Sequence, residues 1–128
     1  MHEPETFGCR YCWPSDAERA WKARYLLEKE VDLIDESHFH VMILACRACA
    51  QRFVSVFTEM IDWEDGDDSQ SWSQIPITDE EQVRLSARPS EAELERLGPG
   101  RRCLEHDHPT GESARTSWTN GLYVGRHD

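Results

Sequence analysis

A chain of 128 residues with 38% hydrophobic and 30% charged residues has material for about one domain around a modest core. It contains no run of about 18 apolar residues, so no transmembrane helix is expected, and the opening MHEPETFGCR lacks the apolar stretch of a signal peptide; a cytoplasmic protein is the expectation. The formal charge of -11 is concentrated: residues 59–95 hold twelve acids against two bases, a field that repels nucleic-acid phosphate and suits a basic partner surface or solubility.

Cys9-Arg-Tyr-Cys12 comes first, followed by WPSDAERAWKARYLLEKE. There Ser15 and Glu18 have capping-box spacing, and Ala17, Ala20, Trp21 and Tyr25 recur at helical intervals, which predicts a helix over about 16–29. VDLIDES reads as a connector or a short strand. Apolar and β-branched residues then predict a largely buried strand over Phe39–Ala45 and a second over Arg52–Trp63. In the second, Phe53, Phe57, Ile61 and Trp63 share one face and Val54, Val56 and Met60 the other. The two strands should pair antiparallel across ACRACAQ, a turn that contains Cys46 and Cys49 where Asn-Gly chemistry would be ordinary.

EDGDDSQSWSQIP reads as a solvated loop. Thr78 and Glu81 form a second capping box, opening a helix to about Ala87, and Ser90 and Glu93 a third, opening a short helix that ends at Gly98. PGRRCLEHDHPTGESAR looks irregular. Asn120-Gly121, between short β-prone runs, signals a closing hairpin.

Five cysteines in a chain expected to be cytosolic point to metal or redox chemistry ahead of a disulfide framework. Four of them form two identically spaced pairs, and small buried hydrophobes would not be expected to repeat a spacing. A redox pair would want a βαβ context and usually a proline between the cysteines, absent from CRYC and CRAC. A zinc deaminase would need H-x-E upstream of P-C-x-x-C, and neither half is present. Two C-x-x-C turns can supply the four sulfur donors of a tetrahedral zinc, with 33 residues between Cys12 and Cys46 to bring them together.

On these features residues 7–63 resemble a zinc ribbon or zinc-knuckle domain, although Trp13 and Ala50 stand where a glycine often follows the second cysteine. The resemblance implies Cys9, Cys12, Cys46 and Cys49 as ligands of one structural Zn2+. The expected fold is therefore α+β: residues 1–63 as a zinc-ribbon-like antiparallel hairpin core with a helix between the knuckles, and residues 64–128 as an acidic loop, two short helices and a C-terminal hairpin packed on the same domain. A closed four-sulfur shell has no position for water, so it contributes stability and no hydrolysis.

Outside the cysteine pairs, CLEHDHP places Cys103, His106 and His108 within six residues, with Glu105 and Asp107 between them and His127 and Asp128 as further donors. A second, hydrolytic metal site there is the enzymatic alternative. Pro109, Gly111 and Ser113 favour an ordinary loop, so an enzyme is the less expected outcome. His38 and His40, two apart, should share one strand face, where solvated histidines are commoner than ligands. The preferred function is a zinc-stabilised intracellular adaptor or regulatory module. It would present Glu59, Asp62, Trp63, Glu64, Asp65, Asp67, Asp68 and Trp72 to a basic protein. Nucleic-acid binding through Arg10, Arg47, Arg52, Arg101 and Arg102 is disfavoured by charge, no membrane role is expected, and exposed strand edges leave a homodimer open.

Overall fold

A computed structural model of the chain describes residues 7–61, 63–66, 68–97, 100–122 and 124. Six strands, β1 (Leu27–Glu36), β2 (Phe39–Cys46), β3 (Arg52–Met60), β4 (Ser69–Ile77), β5 (Arg102–His108) and β6 (Arg115–Asn120), form one antiparallel sheet in chain order. The helices are short: α1 (Ala17–Lys22) before the sheet, and α2 (Asp79–Ala87) and α3 (Glu91–Glu95) between β4 and β5. The α+β class is thus observed. Because β4 pairs with β3 from Arg52↔Ile77 to Met60↔Ser69, a single sheet crosses the boundary expected near residue 63.

Alternation along each strand sends side chains to two faces, and both faces are covered. On one, Phe39, Val41 and Ile43 of β2 meet Val54 and Val56 of β3, Ile75 and Ile77 of β4 and Cys103 of β5, with Leu85, Leu94 and Leu97 supplied by the α2–α3 segment. On the other, Cys46, Phe53 and Leu104 are covered by Cys12, Trp13 and Ala20 from the N-terminal segment. Burial on this scale contributes about 1.5–3 kcal/mol for each large side chain removed from water. Phe53, Ile43, Ile75 and Leu85 are wholly buried.

Several expectations are corrected. The helix foreseen over 16–29 stops at Lys22, continues as a 3-10 turn over Ala23–Leu26, and gives way to a ten-residue strand. Helix propensity in LLEKE is overridden because β2 has a free edge, and β1 fills it from Leu27↔Cys46 to Glu36↔Phe39, with irregularities at Lys29/Val31 and Asp32/Ile34. The N-cap of α1 is Asp16, which accepts from the Arg19 N–H, so the Ser15–Glu18 box does not form. Thr78 and Glu81 do form theirs reciprocally. Ser90 caps α3 by accepting from the Glu93 N–H, and Gly98 lies outside the described residues.

SQSWSQIP is strand β4 instead of loop, its serines alternating with the residues that face the N-terminal segment. CLEHDH is likewise ordered as β5, because β4 on one side and β6 on the other satisfy its backbone. The closing hairpin joins β5 to β6, while Asn120 ends β6 and accepts from the Gly100 N–H at 2.7 Å. Trp63 lies beyond the end of β3, in a turn, and so does not share the face of Phe53.

Glu105 is an unusual member of β5, only 7% exposed, with its Oε1 accepting from Ser73 Oγ at 3.3 Å. Burial first, and then the charge of Asp107, push its carboxyl above the ordinary glutamate range. The folded chain therefore holds this proton more tightly than the unfolded chain. Its ionised form costs stability at neutral pH, and that cost fades as pH falls through the raised value toward the unfolded one. Glu105→Gln should raise the melting temperature at pH 7 and lose that advantage below the unfolded glutamate value of about 4.3. Thermal melts of both proteins across this range check the crossover.

Candidate metal centre

Each C-x-x-C pair folds into the same local turn. The Trp13 N–H reaches the Cys9 carbonyl at 2.9 Å, and the Ala50 N–H reaches the Cys46 carbonyl at 2.8 Å. Backbone N–H groups also point at sulfur, Cys9 N–H to Cys12 Sγ and Ala48 N–H to Cys46 Sγ, both at 3.3 Å. Such dipoles favour thiolate over thiol.

The two turns meet. Cys9 Sγ lies 3.6 Å from Cys12 Sγ and 4.0 Å from Cys46 Sγ, and Cys12 Sγ lies 3.8 Å from Cys49 Sγ. All four sulfurs fall within 4.8 Å of one another, and none is in a disulfide. Four sulfurs at about 2.3 Å from one tetrahedral zinc would be separated by roughly 3.8 Å, so the donor set has the size of such an ion's shell. Electrostatics agrees. Burial raises the Cys9 thiol, yet the N–H groups of Cys12 and Tyr11 together with the Cys12 and Cys49 thiols outweigh it and lower Cys9 to about 7. Burial and the neighbouring sulfurs push Cys12 far up, and burial raises Cys49. Four negative sulfurs this close repel one another, and a bound cation is what lets all four ionise together.

Gln51 joins this centre to the sheet, a role with no signal in the sequence. Its Oε1 accepts from the Gly8 N–H at 3.1 Å, its Nε2 donates to the Arg52 and Ile77 carbonyls at 2.8 and 2.9 Å, and its own carbonyl accepts from the Cys46 N–H at 2.9 Å. One residue thus ties the first knuckle, the second knuckle and β4. Cys12 and Cys46 are buried, Cys9 is partly so, and Cys49 is exposed beside an open groove of about 430 Å³ lined in part by Phe7, Gln51 and Asp79.

Trp13 anchors the first knuckle. Its ring lies 5.1 Å from that of Phe53 and 4.9 Å from that of Trp118, while the Arg102 guanidinium sits over Trp118 at 3.8 Å and donates to the Trp13 carbonyl at 3.2 Å. Trp118 Nε1 in turn donates to the Ser15 carbonyl at 2.8 Å. The first and last elements of the chain are clamped together around one arginine.

The other candidate residues are placed differently. Alternation along β5 sends Cys103 to the face covered by the α2–α3 segment and His106 and His108 to the opposite one, so these three are not brought together. His106 stacks on Trp21 at 3.8 Å with an interplanar angle of 6°, hydrogen-bonds Thr116 Oγ1 at 2.7 Å, and is held below the usual imidazole value chiefly by burial. His127 and Asp128 lie outside the described residues. His38 lies in the turn before β2, 3.2 Å from Glu59, and His40 lies 3.1 Å from Asp35. Among the described residues no second group of three or more such ligands converges.

Of the acidic segment, Trp63 is 88% exposed in a turn with Glu64 and Asp65. Glu59 is engaged by Gln70 and His38, and Asp62 and Asp67 lie outside the described residues. Trp72 is not in that loop. It stands in β4 against Phe57 and Trp21. Comparison with known protein families, with curated proteins and with solved structures finds no match to this chain.

The knuckle backbone carries a measurable strain. Ala50, where a glycine was expected, has φ of +66°, the left-handed region that costs a residue with a Cβ about 1–2 kcal/mol. Gly8 has φ of +70°, and a Cβ added there would lie 2.7 Å from the Trp13 Cβ and 3.0 Å from Cys12 Sγ. Ala50→Gly should therefore stabilise the fold by roughly 0.5–1 kcal/mol after the unfolded-chain entropy is counted, and Gly8→Ala should cost about 1–3 kcal/mol. Urea denaturation of the two variants measures the opposite signs.

Proposed function

We propose that Cys9, Cys12, Cys46 and Cys49 hold one structural Zn2+, in the manner of a zinc ribbon, and that the chain is an intracellular protein-binding module. The observation that supports the metal is the set of sulfur separations, 3.6, 3.8 and 4.0 Å, around the edge of a tetrahedral thiolate shell. A shell made of four protein sulfurs leaves no position for substrate or water. Its contribution is to folding, where structural zinc is worth about 10–16 kcal/mol in small peptides. The ligands come from the N-terminal segment and the β2–β3 turn, which the hydrogen bonds of Gln51 also join.

The binding role is supported by Trp63. A large apolar side chain 88% exposed among acids is an unfavourable surface residue for an isolated protein and a favourable anchor for a basic partner with an apolar pocket. Acidic surroundings would steer that partner and set its orientation, with the aromatic ring supplying contact area. The arginines that a nucleic-acid surface would need are mostly engaged: Arg47 pairs with Glu28, Arg52 with Glu30 and Asp79, Arg101 with Glu81, and Arg102 is held between two tryptophans.

Native mass spectrometry of the purified protein should give one zinc per chain, and Cys46→Ser should lose it. A strong chelator should lower the melting temperature by far more than 10 °C; an unchanged melt would refute a structural ion. For the partner, pull-downs from cell extract should retain a basic protein at low salt and lose it at high salt. Trp63→Ala should weaken capture at least ten-fold, about 1.4 kcal/mol. Equal capture by wild type and variant would remove Trp63 from the interface.

A further inference from the structure

The sheet face under α1 carries a buried guanidinium that no carboxylate among the described residues neutralises. Arg24, from the 3-10 turn after α1, donates from Nη2 to Ser55 Oγ at 2.9 Å, and its guanidinium lies 4.9 Å from the centre of the Trp21 ring. Its Nε is buried without a hydrogen-bond partner, and among the described residues no carboxylate pairs with it. This holds in a chain of net charge -11, where an acid could have been placed almost anywhere. Glu18 acts electrostatically on His106 in the adjoining stack but makes no ion pair with Arg24.

Directly across the strand pair from Ser55 is Gln74, only 3% exposed. Both its Oε1 and its Nε2 are buried with no partner. Buried amides and guanidinium groups are normally satisfied, and an unpaired set in one place is a departure that needs a cause. Next to the pair on the same face, the half-buried rings of Phe57, Trp72 and His106 stand in cross-strand register, with Trp21 lying against Trp72 and His106. Polar groups without partners beside a row of flat apolar walls is the composition of a small-molecule site.

We propose that Arg24, Ser55 and Gln74 bind a small organic monocarboxylate whose flat or apolar body rests against Trp72 and Trp21. The charge decides the class. One guanidinium neutralises one carboxylate and matches its planar, two-oxygen geometry, whereas a phosphate dianion would bring a second charge with nothing to meet it. The Gln74 Nε2 and the Ser55 hydroxyl add donors to the carboxylate. Gln74 Oε1 can only accept, so the ligand carries a hydroxyl or amino donor beside its carboxylate. The site shares no residue with the four cysteines or with the Trp63 turn and does not depend on the metal or partner reading.

The test uses the metal-loaded full chain and mandelate, which has a carboxylate, an adjacent hydroxyl and a phenyl ring. Mandelate should quench tryptophan fluorescence saturably and raise the melting temperature, while the neutral mandelamide and inorganic phosphate should do neither. Phenylacetate, which lacks the hydroxyl, should bind more weakly. Arg24→Gln and Gln74→Met should each weaken mandelate binding at least ten-fold. Gln74→Met should not lower the melting temperature of the ligand-free protein, because it removes an amide whose two polar atoms are buried without partners. No saturable response to mandelate, phenylacetate or lactate up to about 10 mM, where even a millimolar Kd saturates, overturns the proposal. An equal response to mandelamide or phosphate, or undiminished binding by Arg24→Gln, also overturns it. So does a marked loss of ligand-free stability in Gln74→Met, since it would mean that the polar groups serve the fold through buried water.

Discussion

The constraint on which the rest depends is the meeting of two turns that are far apart in the chain. Cys9 and Cys12 enter on a segment without strand partners, and Cys46 and Cys49 sit where β2 reverses into β3. Four sulfurs within 4.8 Å would repel as thiolates, so all four can ionise together only beside a cation, while the hydrogen bonds of Gln51 join the two turns to the sheet. The strained Ala50 and the tightly confined Gly8 both lie at this corner, which is where backbone cost is expected to collect when tertiary geometry dictates the turn.

From that corner the N-terminal segment becomes a lid on one face of the sheet. Trp13 fills the space over Phe53, Arg102 fixes Trp13 against Trp118, and from α1 and the 3-10 turn after it Trp21 and Arg24 reach Trp72, His106 and Ser55 of β4, β5 and β3. The opposite face has an ordinary aliphatic core under α2 and α3. The two faces differ in kind. The aliphatic side is largely apolar, with Glu105 buried in it and with Arg84 Nε and Glu93 Oε2, neither in a hydrogen bond, ion-paired to each other at 3.4 Å; the N-terminal side mixes rings, a guanidinium and an amide, and there Arg24 Nε and both amide atoms of Gln74 are buried without partners. Packing alone explains the first side, and the second retains groups that packing would have excluded.

The acidic segment divides in the same way once it is folded. Its second half caps α2 and α3, where Thr78, Glu81 and Ser90 do local structural work and Glu81 also receives Arg101. Glu64 and Asp65 stay at the surface in the turn that displays Trp63, and the largely buried strand β4 lies between the two groups. Charge counted along the chain joined these two halves, and the structure gives them separate roles.

The sequence by itself determined the elements whose signals are local. The repeated C-x-x-C spacing marked the four sulfurs, alternation marked β2 and β3, and the Thr78 box marked α2, because spacing, pleat and capping chemistry are each written within a few residues. Only the tertiary structure decided the rest. LLEKE became strand because an edge of β2 was open to pairing, and CLEHDH became strand because β4 and β6 flanked it. In becoming a strand it was obliged by the two-residue period to send Cys103 away from His106 and His108, which dissolved the cluster seen in one dimension. Arg24, Ser55 and Gln74, separated by tens of residues and individually unremarkable, share no motif; pairing of β3 with β4 and the path of α1 over them are what put them in one place.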